Sequence, residues 1–266
     1  MRIAILTSLG DGLPSLCIPR IAQETDMELV AVIQSEGRTQ DRAKSIRRRL
    51  KKIRRIGVVG ALNARRFQTR VLKDLRNHLA TPSVEESAAA VSRPFFRTPH
   101  INSDATRRIL REARADLGIS LGNSWIAESV FRIPRLGMIN IHHEVLPAYR
   151  GAQSVIWQLY NGSTKTGYTI HEIDRGIDTG RILHLEIMDI DLKPDFRGTV
   201  SATTARLQRA SVEGLLHALR NYKEVAARGT SQGPGATYTS PTLRQYIHML
   251  REHKKLYRLS GKRPGS

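Results

Sequence analysis

The chain has 266 residues, a single cysteine (Cys17) and a formal net charge of +19. This length is sufficient to bury a substantial core, and one cysteine excludes an internal disulfide framework and any all-cysteine metal site. An unpaired cysteine is typical of a reducing compartment, and no apolar run approaches the roughly 20 residues that span a bilayer. We therefore expect a cytoplasmic protein without a signal peptide or a transmembrane helix.

The first two elements in chain order are short apolar runs. Residues 2–7 (RIAILT) and 28–33 (ELVAVI) have the length and composition of buried strands, and the glycine-containing turn SLGDGLPS follows the first. The order strand, turn, helix, strand is typical of the start of an α/β domain.

A strongly basic segment follows at residues 38–80. Between Arg42 and Arg76 there are fourteen Lys or Arg residues and one acid, Asp74. Apolar residues interleave them at spacings of three and four, which predicts a basic amphipathic helix, in two parts that break near Gly57 and Gly60.

Three roles for the basic segment remain open. It can bind an anionic membrane surface so that the protein is peripherally attached, it can bind nucleic acid, or it can be a solvated helix face. Aromatic residues, which favour binding of single strands, are limited to Phe67.

The rest of the chain alternates between helical and extended patterns. The predicted elements are a loop at 81–103 with an extended piece at 95–101, a helix at 104–115, strands at 117–122 and 137–142, a helix at 151–162, strands at 167–173 and 181–188, a helix at 199–228, a linker rich in Gly, Ser and Pro, and a short basic helix from 241 to 258. This alternation predicts an α/β fold with a doubly wound, mostly parallel, Rossmann-like sheet, a basic helical insertion and a short C-terminal extension.

Polar residues gather where the strand at 137–142 ends. Asn140 and His142 are two residues apart on that strand, so their side chains project from the same face. Asp178 lies on a glycine-flanked loop that can return to this point, and a carboxylate beside an imidazole favours its charged form. An amide donor, an imidazole and a carboxylate suit acyl transfer to an amine without a Ser or Cys nucleophile.

Three ordered motifs carry a resemblance to a known family. They are NIHHEVLPAYRG at 140–151, the Trp157–Gly162 stretch, and TGYTIHEIDRGIDTG at 166–180. Over about residues 117–190 the chain resembles the folate-dependent formyltransferases, which include glycinamide ribonucleotide, methionyl-tRNA and sugar-amine formyltransferases. The resemblance implies that Asn140, His142 and Asp178 are catalytic.

The resemblance also implies a donor and a pocket. The donor would be 10-formyltetrahydrofolate, without a metal, and the acceptor a primary amine. The stretch GNSWIAE at 122–128 and the loop at 174–178 would hold the pterin. The implied cofactor-binding residues are Gly122, Trp125, Ile126, Ala127, Asp174 and Ile177.

Four residues are candidates for binding the acceptor. Gly10 and Gly12 stand where some relatives bind a substrate phosphate, although an ordinary turn is an equal alternative. Glu144 replaces the usual Ser of the family and can act on His142 or on the amine. Arg150 is common in the family and can instead simply close a turn.

The expected organisation is a catalytic domain at 1–228 and a linker with a basic tail at 229–266. The tail looks too short for the barrel that methionyl-tRNA formyltransferases append, so we expect a small amine acceptor, such as a nucleotide-linked amino sugar. Methionyl-tRNA and glycinamide ribonucleotide remain alternatives. A rival hypothesis is a noncatalytic protein that uses the basic segment to bind membrane or nucleic acid; the oligomeric state stays open.

Overall fold

The two apolar runs at the start of the chain form neighbouring strands of a seven-stranded sheet. A computed structural model describes residues 1–37, 42–123, 125–151 and 155–261. The start of the predicted insertion (38–41), position 124 of the predicted pterin pocket, residues 152–154 of the predicted helix and residues 262–266 of the tail lie outside the described residues.

The sheet has the order β3-β2-β1-β4-β5-β7-β8. Its strands are β1 (Arg2–Thr7), β2 (Glu28–Ser35), β3 (Phe95–Thr98), β4 (Leu117–Leu121), β5 (Met138–His142), β7 (Lys165–Glu172) and β8 (Ile182–Asp189); the short β6 (Arg150–Gly151) and β9 (Thr237–Tyr238) pair separately. The first five strands of the order are parallel, and β7 and β8 are antiparallel. The predicted mostly parallel, doubly wound sheet is confirmed.

Helices cover both faces of the sheet. They are α1 (Leu13–Ala22), α2 (Arg42–Leu79), α3 (Val84–Ala90), α4 (Asp104–Glu112), α5 (Glu128–Phe131), α6 (Ile156–Tyr160), α7 (Phe196–Arg220), α8 (Tyr222–Ala227) and α9 (Leu243–Leu259). On β1, Ile3 and Ile5 pack into the core that contains α1 and α7, whereas Ala4 and Leu6 pack into the core with α4 and α5. Alternate side chains point to opposite faces, so a strand buried on both faces is apolar throughout.

The basic segment is helical, as the spacing predicts. Gly57 has φ 73° and ψ 164°, a conformation outside the helical region, so α2 is broken there, whereas the helix continues through Gly60. Beyond the break, Phe67 stacks on Phe196 of α7 at 5.4 Å between ring centroids. The second part of α2 is therefore fixed to the domain by aromatic packing.

Two predicted elements need correction. The region predicted as a loop at 81–103 contains the helix α3, which begins at a capping box formed by Ser83 and Glu86. The long helix predicted at 199–228 is divided at Asn221, where α7 ends and α8 begins.

The segment predicted as a linker packs against the domain. β9 pairs in parallel with β6, and the ring of Tyr238 lies 4.8 Å from Trp157 and 5.3 Å from Tyr149 between centroids. The Gly, Ser and Pro content of this segment predicted a flexible linker, but its one aromatic side chain, Tyr238, packs against two other rings. The segment thereby becomes part of the wall around the strand ends.

Candidate active site

Asn140 and His142 stand side by side on β5, which ends beside the centre of the sheet. Across the β5–β7 ladder, Asn140 is opposite His171. The Asn140 Nδ2 atom lies 3.2 Å from His171 Nε2. Strand pairing therefore brings a second histidine to the pair that the sequence predicts.

Asp178 reaches this point from the loop between β7 and β8. Its backbone is in the left-handed region with φ 53°, which Asp tolerates better than most residues. Its Oδ2 accepts the Gly151 N–H at 2.9 Å and lies 3.8 Å from His142 Nδ1, while its Oδ1 lies 3.6 Å from His171 Nε2. One carboxylate thus faces both histidines.

The backbone carbonyls around the site fix the ring protons. His142 Nε2 lies 2.8 Å from the Tyr149 carbonyl oxygen, which can only accept, so Nε2 carries the hydrogen. In neutral His142 the Nδ1 atom is then unprotonated and faces Asp178. A proton taken up at Nδ1 would create a cation beside that carboxylate.

His171 holds the opposite arrangement. Its Nδ1 donates to the Glu172 carbonyl oxygen at 2.8 Å, so Nε2 is free to accept from the Asn140 amide. The ring is only 2% exposed, and burial lowers its pKa, an effect that the Asp178 carboxylate partly opposes. His171 is therefore a neutral acceptor that orients Asn140.

These residues form part of a cleft of about 780 Å³ at the strand ends. Of the residues predicted to hold the pterin, five line it: Gly122, Trp125, Ile126, Asp174 and Ile177. Asp174 shapes its loop by accepting from the Gly176 N–H at 2.9 Å and the Thr179 hydroxyl at 2.6 Å. Ala127 does not line the cleft, and its N–H donates to Asn102 Oδ1 at 2.7 Å.

Glu144 lines the same cleft, but its carboxylate has other partners. Its Oε1 accepts the Val155 N–H at 3.1 Å, and its Oε2 accepts from the Gln158 amide. The residue is 4% exposed, and burial raises its pKa well above the usual value for Glu. The structure therefore places Glu144 as a buried support at the start of α6, in contrast to the expectation that it acts on His142 or the amine.

The other three acceptor candidates lie outside the cleft. The Gly12 N–H is bound to the Thr81 hydroxyl at 2.9 Å, and the Gly10 carbonyl accepts from Val84 at 3.0 Å. The segment after α2 therefore covers this turn and is bonded to the Gly12 N–H and the Gly10 carbonyl. The Arg150 guanidinium binds Gln232 and the Gly233 carbonyl, so it anchors the segment before β9.

Sequence reasoning missed several residues that the fold brings to the cleft. Lys51 and Arg55 of α2 line one side, and Tyr238, Thr239 and Ser240 line another. Arg55 donates to the Ser240 carbonyl at 3.0 Å. The sequence carries no signal for this meeting, because about 180 residues separate the two segments.

Among the residues that the structure describes, no group of three or more His, Cys, Asp and Glu side chains is arranged to hold a metal ion.

A comparison with the profiles of known protein families identifies the family of this chain. The profile of the family described as Formyl transferase matches residues 1–219. The chain therefore belongs to the formyl transferase family, and the resemblance carried by its motifs is confirmed.

Curated relatives match only part of this chain and only part of their own length. Methionyl-tRNA formyltransferase of Parabacteroides distasonis is 36% identical over 141 residues, which are 52% of this chain and 44% of that protein. The chain spans about half the length of the curated relatives that it matches.

Solved structures share the fold. Glycinamide ribonucleotide transformylase 1 from Symbiobacterium toebii has a TM-score of 0.60 at 17% identity, over 88% of this chain and 92% of that one. An N-formyltransferase from Helicobacter canadensis, solved with folinic acid and dTDP-3-aminofucose, has a TM-score of 0.55 at 13% identity, over 96% and 80% of the two chains.

Proposed function

We propose that this protein transfers a formyl group from 10-formyltetrahydrofolate to a primary amine. The observation that carries the proposal is the cluster at the strand ends, where His142 Nδ1 faces Asp178 at 3.8 Å and Asn140 stands on the same strand face. This cluster lines the cleft of about 780 Å³, within the range typical of small-molecule sites.

Each group has a distinct role in the proposed chemistry. The folate supplies an activated formyl group when it is bound. Asn140 has two amide hydrogens, and since His171 takes one, the other serves the oxygen on which negative charge develops. His142 accepts the proton of the attacking amine at Nδ1, and Asp178 stabilises the resulting imidazolium. The same proton is then given to N10 of the folate as the bond between N10 and the formyl carbon breaks, so that tetrahydrofolate leaves.

The cleft residues support the proposed donor. The exposed Trp125 ring and the Ile126 side chain offer apolar surface on one side, and the loop of Asp174 to Asp178 offers polar and backbone groups on the other. A flat heteroaromatic ring with polar edges needs both kinds of contact.

A phosphate-bearing acceptor is supported by the cations of the same cleft. Lys51 and Arg55 line it, and two cations beside a site for a neutral amine favour an acceptor with negative charge. We propose a nucleotide-linked amino sugar as the acceptor. Glycinamide ribonucleotide and methionyl-tRNA also carry phosphate, so the three must be compared directly.

The first experiment measures donor binding and turnover. Calorimetric titration with tetrahydrofolate and a stable formyl-folate analogue should show binding to the native protein. Asn140→Ala and His142→Ala should then retain the folded state in thermal unfolding but lose formyl transfer. A native protein that binds neither folate would contradict the proposed function and favour a noncatalytic protein.

The second experiment compares kcat/KM for the three acceptors in the native protein and in Lys51→Ala. We expect the nucleotide-linked amino sugar to have the highest value. Lys51→Ala should weaken its binding by about tenfold, as expected when one charged hydrogen bond is lost. Preference for methionyl-tRNA or glycinamide ribonucleotide would identify the corresponding alternative instead.

A further inference from the structure

Exposed apolar side chains are concentrated on two basic helices. In the part of the chain that the structure describes, eleven of the sixteen exposed large hydrophobic residues lie on α2 and α9. Scattered exposed Leu or Ile residues need no explanation, whereas a concentration of them marks a surface that contacts something apolar.

The spacing of these residues gives each helix one apolar face. On α2, Ile46, Leu50 and Ile53 follow one another at intervals of four and three residues, which places them on the same side of a helix. Beyond the break at Gly57, Val58, Val59 and Leu62 are exposed as well.

Helix α9 repeats the pattern beside α2. Leu243, Ile247 and Leu250 have the same spacing, and the Leu243 backbone nitrogen lies 3.7 Å from the position of a Cβ on Gly60. We call these nine residues the amphipathic surface: Ile46, Leu50, Ile53, Val58, Val59, Leu62, Leu243, Ile247 and Leu250. Each of the nine is at least 37% exposed.

The charge around the amphipathic surface is predominantly positive. Residues 42–73 of α2 contain thirteen Lys or Arg and no Asp or Glu, and α9 contains five Lys or Arg and one Glu. A second copy of the chain that docked through this same surface would bring the same positive charge against it and would be repelled. The partner must therefore be both anionic and apolar.

We propose that the amphipathic surface binds the surface of an anionic lipid bilayer. Aliphatic side chains between Lys and Arg residues are the pattern of helices that lie in the headgroup region, with the apolar side in the acyl boundary and the cations at anionic lipids. No described helix is long and apolar enough to cross a bilayer, so the contact is with one leaflet.

Binding of a nucleic acid would account for the cations of the amphipathic surface but not for its exposed apolar side chains. A phosphate backbone would take the cations but would leave the exposed aliphatic side chains in water. The aromatic residue within the basic segment, Phe67, is packed on Phe196 and Tyr246 and is thereby removed from base stacking.

Binding of a bilayer has a consequence for the cleft. Lys51 and Arg55, which line the cleft, are on the same part of α2 as Leu50 and Ile53. A bilayer at the amphipathic surface therefore brings the cleft near the headgroups.

The test uses the full chain and measures binding without turnover. Vesicles of phosphatidylcholine with phosphatidylglycerol, and of phosphatidylcholine alone, are sedimented with the protein at about 0.15 M salt, where exposed charges are screened beyond about 8 Å. We expect at least about tenfold stronger partition to the anionic vesicles.

Variants separate apolar contact from charge alone. Leu50→Ser/Val59→Ser keeps every charge and should reduce partition by about tenfold or more, because two aliphatic groups no longer leave water. The matched control is Leu136→Ser/Ile187→Ser, at two exposed apolar residues outside the amphipathic surface, and it should bind like the native chain. Circular dichroism and thermal unfolding check that both variants are folded.

Three results would overturn the proposal. They are no partition to anionic vesicles at this salt, equal loss in the control variant, and binding that Leu50→Ser/Val59→Ser leaves unchanged. In the last case, competition by duplex DNA would identify a general polyanion site instead. Because folate binding is measured separately, failure here leaves the proposed formyl transfer untouched.

Discussion

Replacing Asp178 by Asn removes one charge from the centre of the site and little else. Asn tolerates the left-handed backbone that Asp178 adopts with φ 53°, and its amide oxygen can still accept the Gly151 N–H. The neutral side chain keeps the shape of the carboxylate. The substitution therefore isolates the electrostatic effect on His142.

The distance sets the size of this effect. At the 3.8 Å between His142 Nδ1 and Asp178 Oδ2, two unit charges attract by about 4 kcal/mol at an effective dielectric constant of about 20. If the imidazolium forms only as the amine reacts, this stabilisation belongs to the transition state. Its loss should lower kcat by about 1,000-fold, at about 1.4 kcal/mol per factor of ten.

The assay follows formation of tetrahydrofolate under saturating donor and amine, alongside urea unfolding. Asp178→Asn should reduce the free energy of unfolding by only about 1 kcal/mol, because a charged hydrogen bond to Gly151 becomes a neutral one. The control is Asp116→Asn, whose carboxylate accepts the Arg2 N–H at 2.9 Å and does not line the cleft. It should retain full turnover.

A kcat for Asp178→Asn within about tenfold of the native value would refute the electrostatic role. The same reduction in Asp116→Asn would show that turnover responds to general stability and not to the charge beside His142. A large loss of stability in Asp178→Asn alone would mean that the carboxylate mainly fixes the loop to Gly151.

Three further predictions concern groups around the site. Glu144→Gln should retain the free energy of unfolding within about 1 kcal/mol, because burial already favours the neutral acid. Glu144→Ala should cost about 2–3 kcal/mol in urea unfolding, because it leaves the Val155 N–H unpaired. Equal costs for the two variants would contradict this role of the side chain. Burial lowers the pKa of His143 to about 3, so the unfolded chain binds the proton first and stability should fall by about 1.4 kcal/mol per pH unit as pH drops from about 6.5 towards 3. Urea unfolding at pH 7, 6 and 5 should show a smaller slope for His143→Gln than for the native chain, and equal slopes would contradict this prediction. Gly151→Ala should cost about 2–4 kcal/mol in thermal unfolding, since φ is 93° and the new Cβ would lie 2.4 Å from the Tyr238 carbonyl oxygen; no loss would show that the β6–β9 pairing is dispensable.

Local patterns were sufficient for the frame of the fold. Continuous apolar runs predicted the parallel strands because a strand covered on both faces exposes no alternation. The spacing of Asn140 and His142 placed both side chains on one face of β5, since the period of a strand is two residues. These predictions held because they depend on neighbouring residues only.

Family resemblance contributed the catalytic assignment of Asp178, and the fold shows what it faces. Its partners Gly151 and His171 come from the short strand β6 and from the antiparallel strand β7. Only strand register decides that His171 stands opposite Asn140. Spacing along the chain does not show which residue stands opposite Asn140 across the ladder.

The sequence by itself determined the parallel strands, the break in the basic helix at Gly57 and the position of Asn140 and His142 on one face of the same strand. The tertiary structure decided that Gly12 is covered, that Glu144 faces Val155, and that Arg55 meets Ser240 at the cleft. The physical reason is range. Periodicity and turn chemistry act within a few residues, whereas a pocket wall forms where distant segments find partners for their polar and apolar groups.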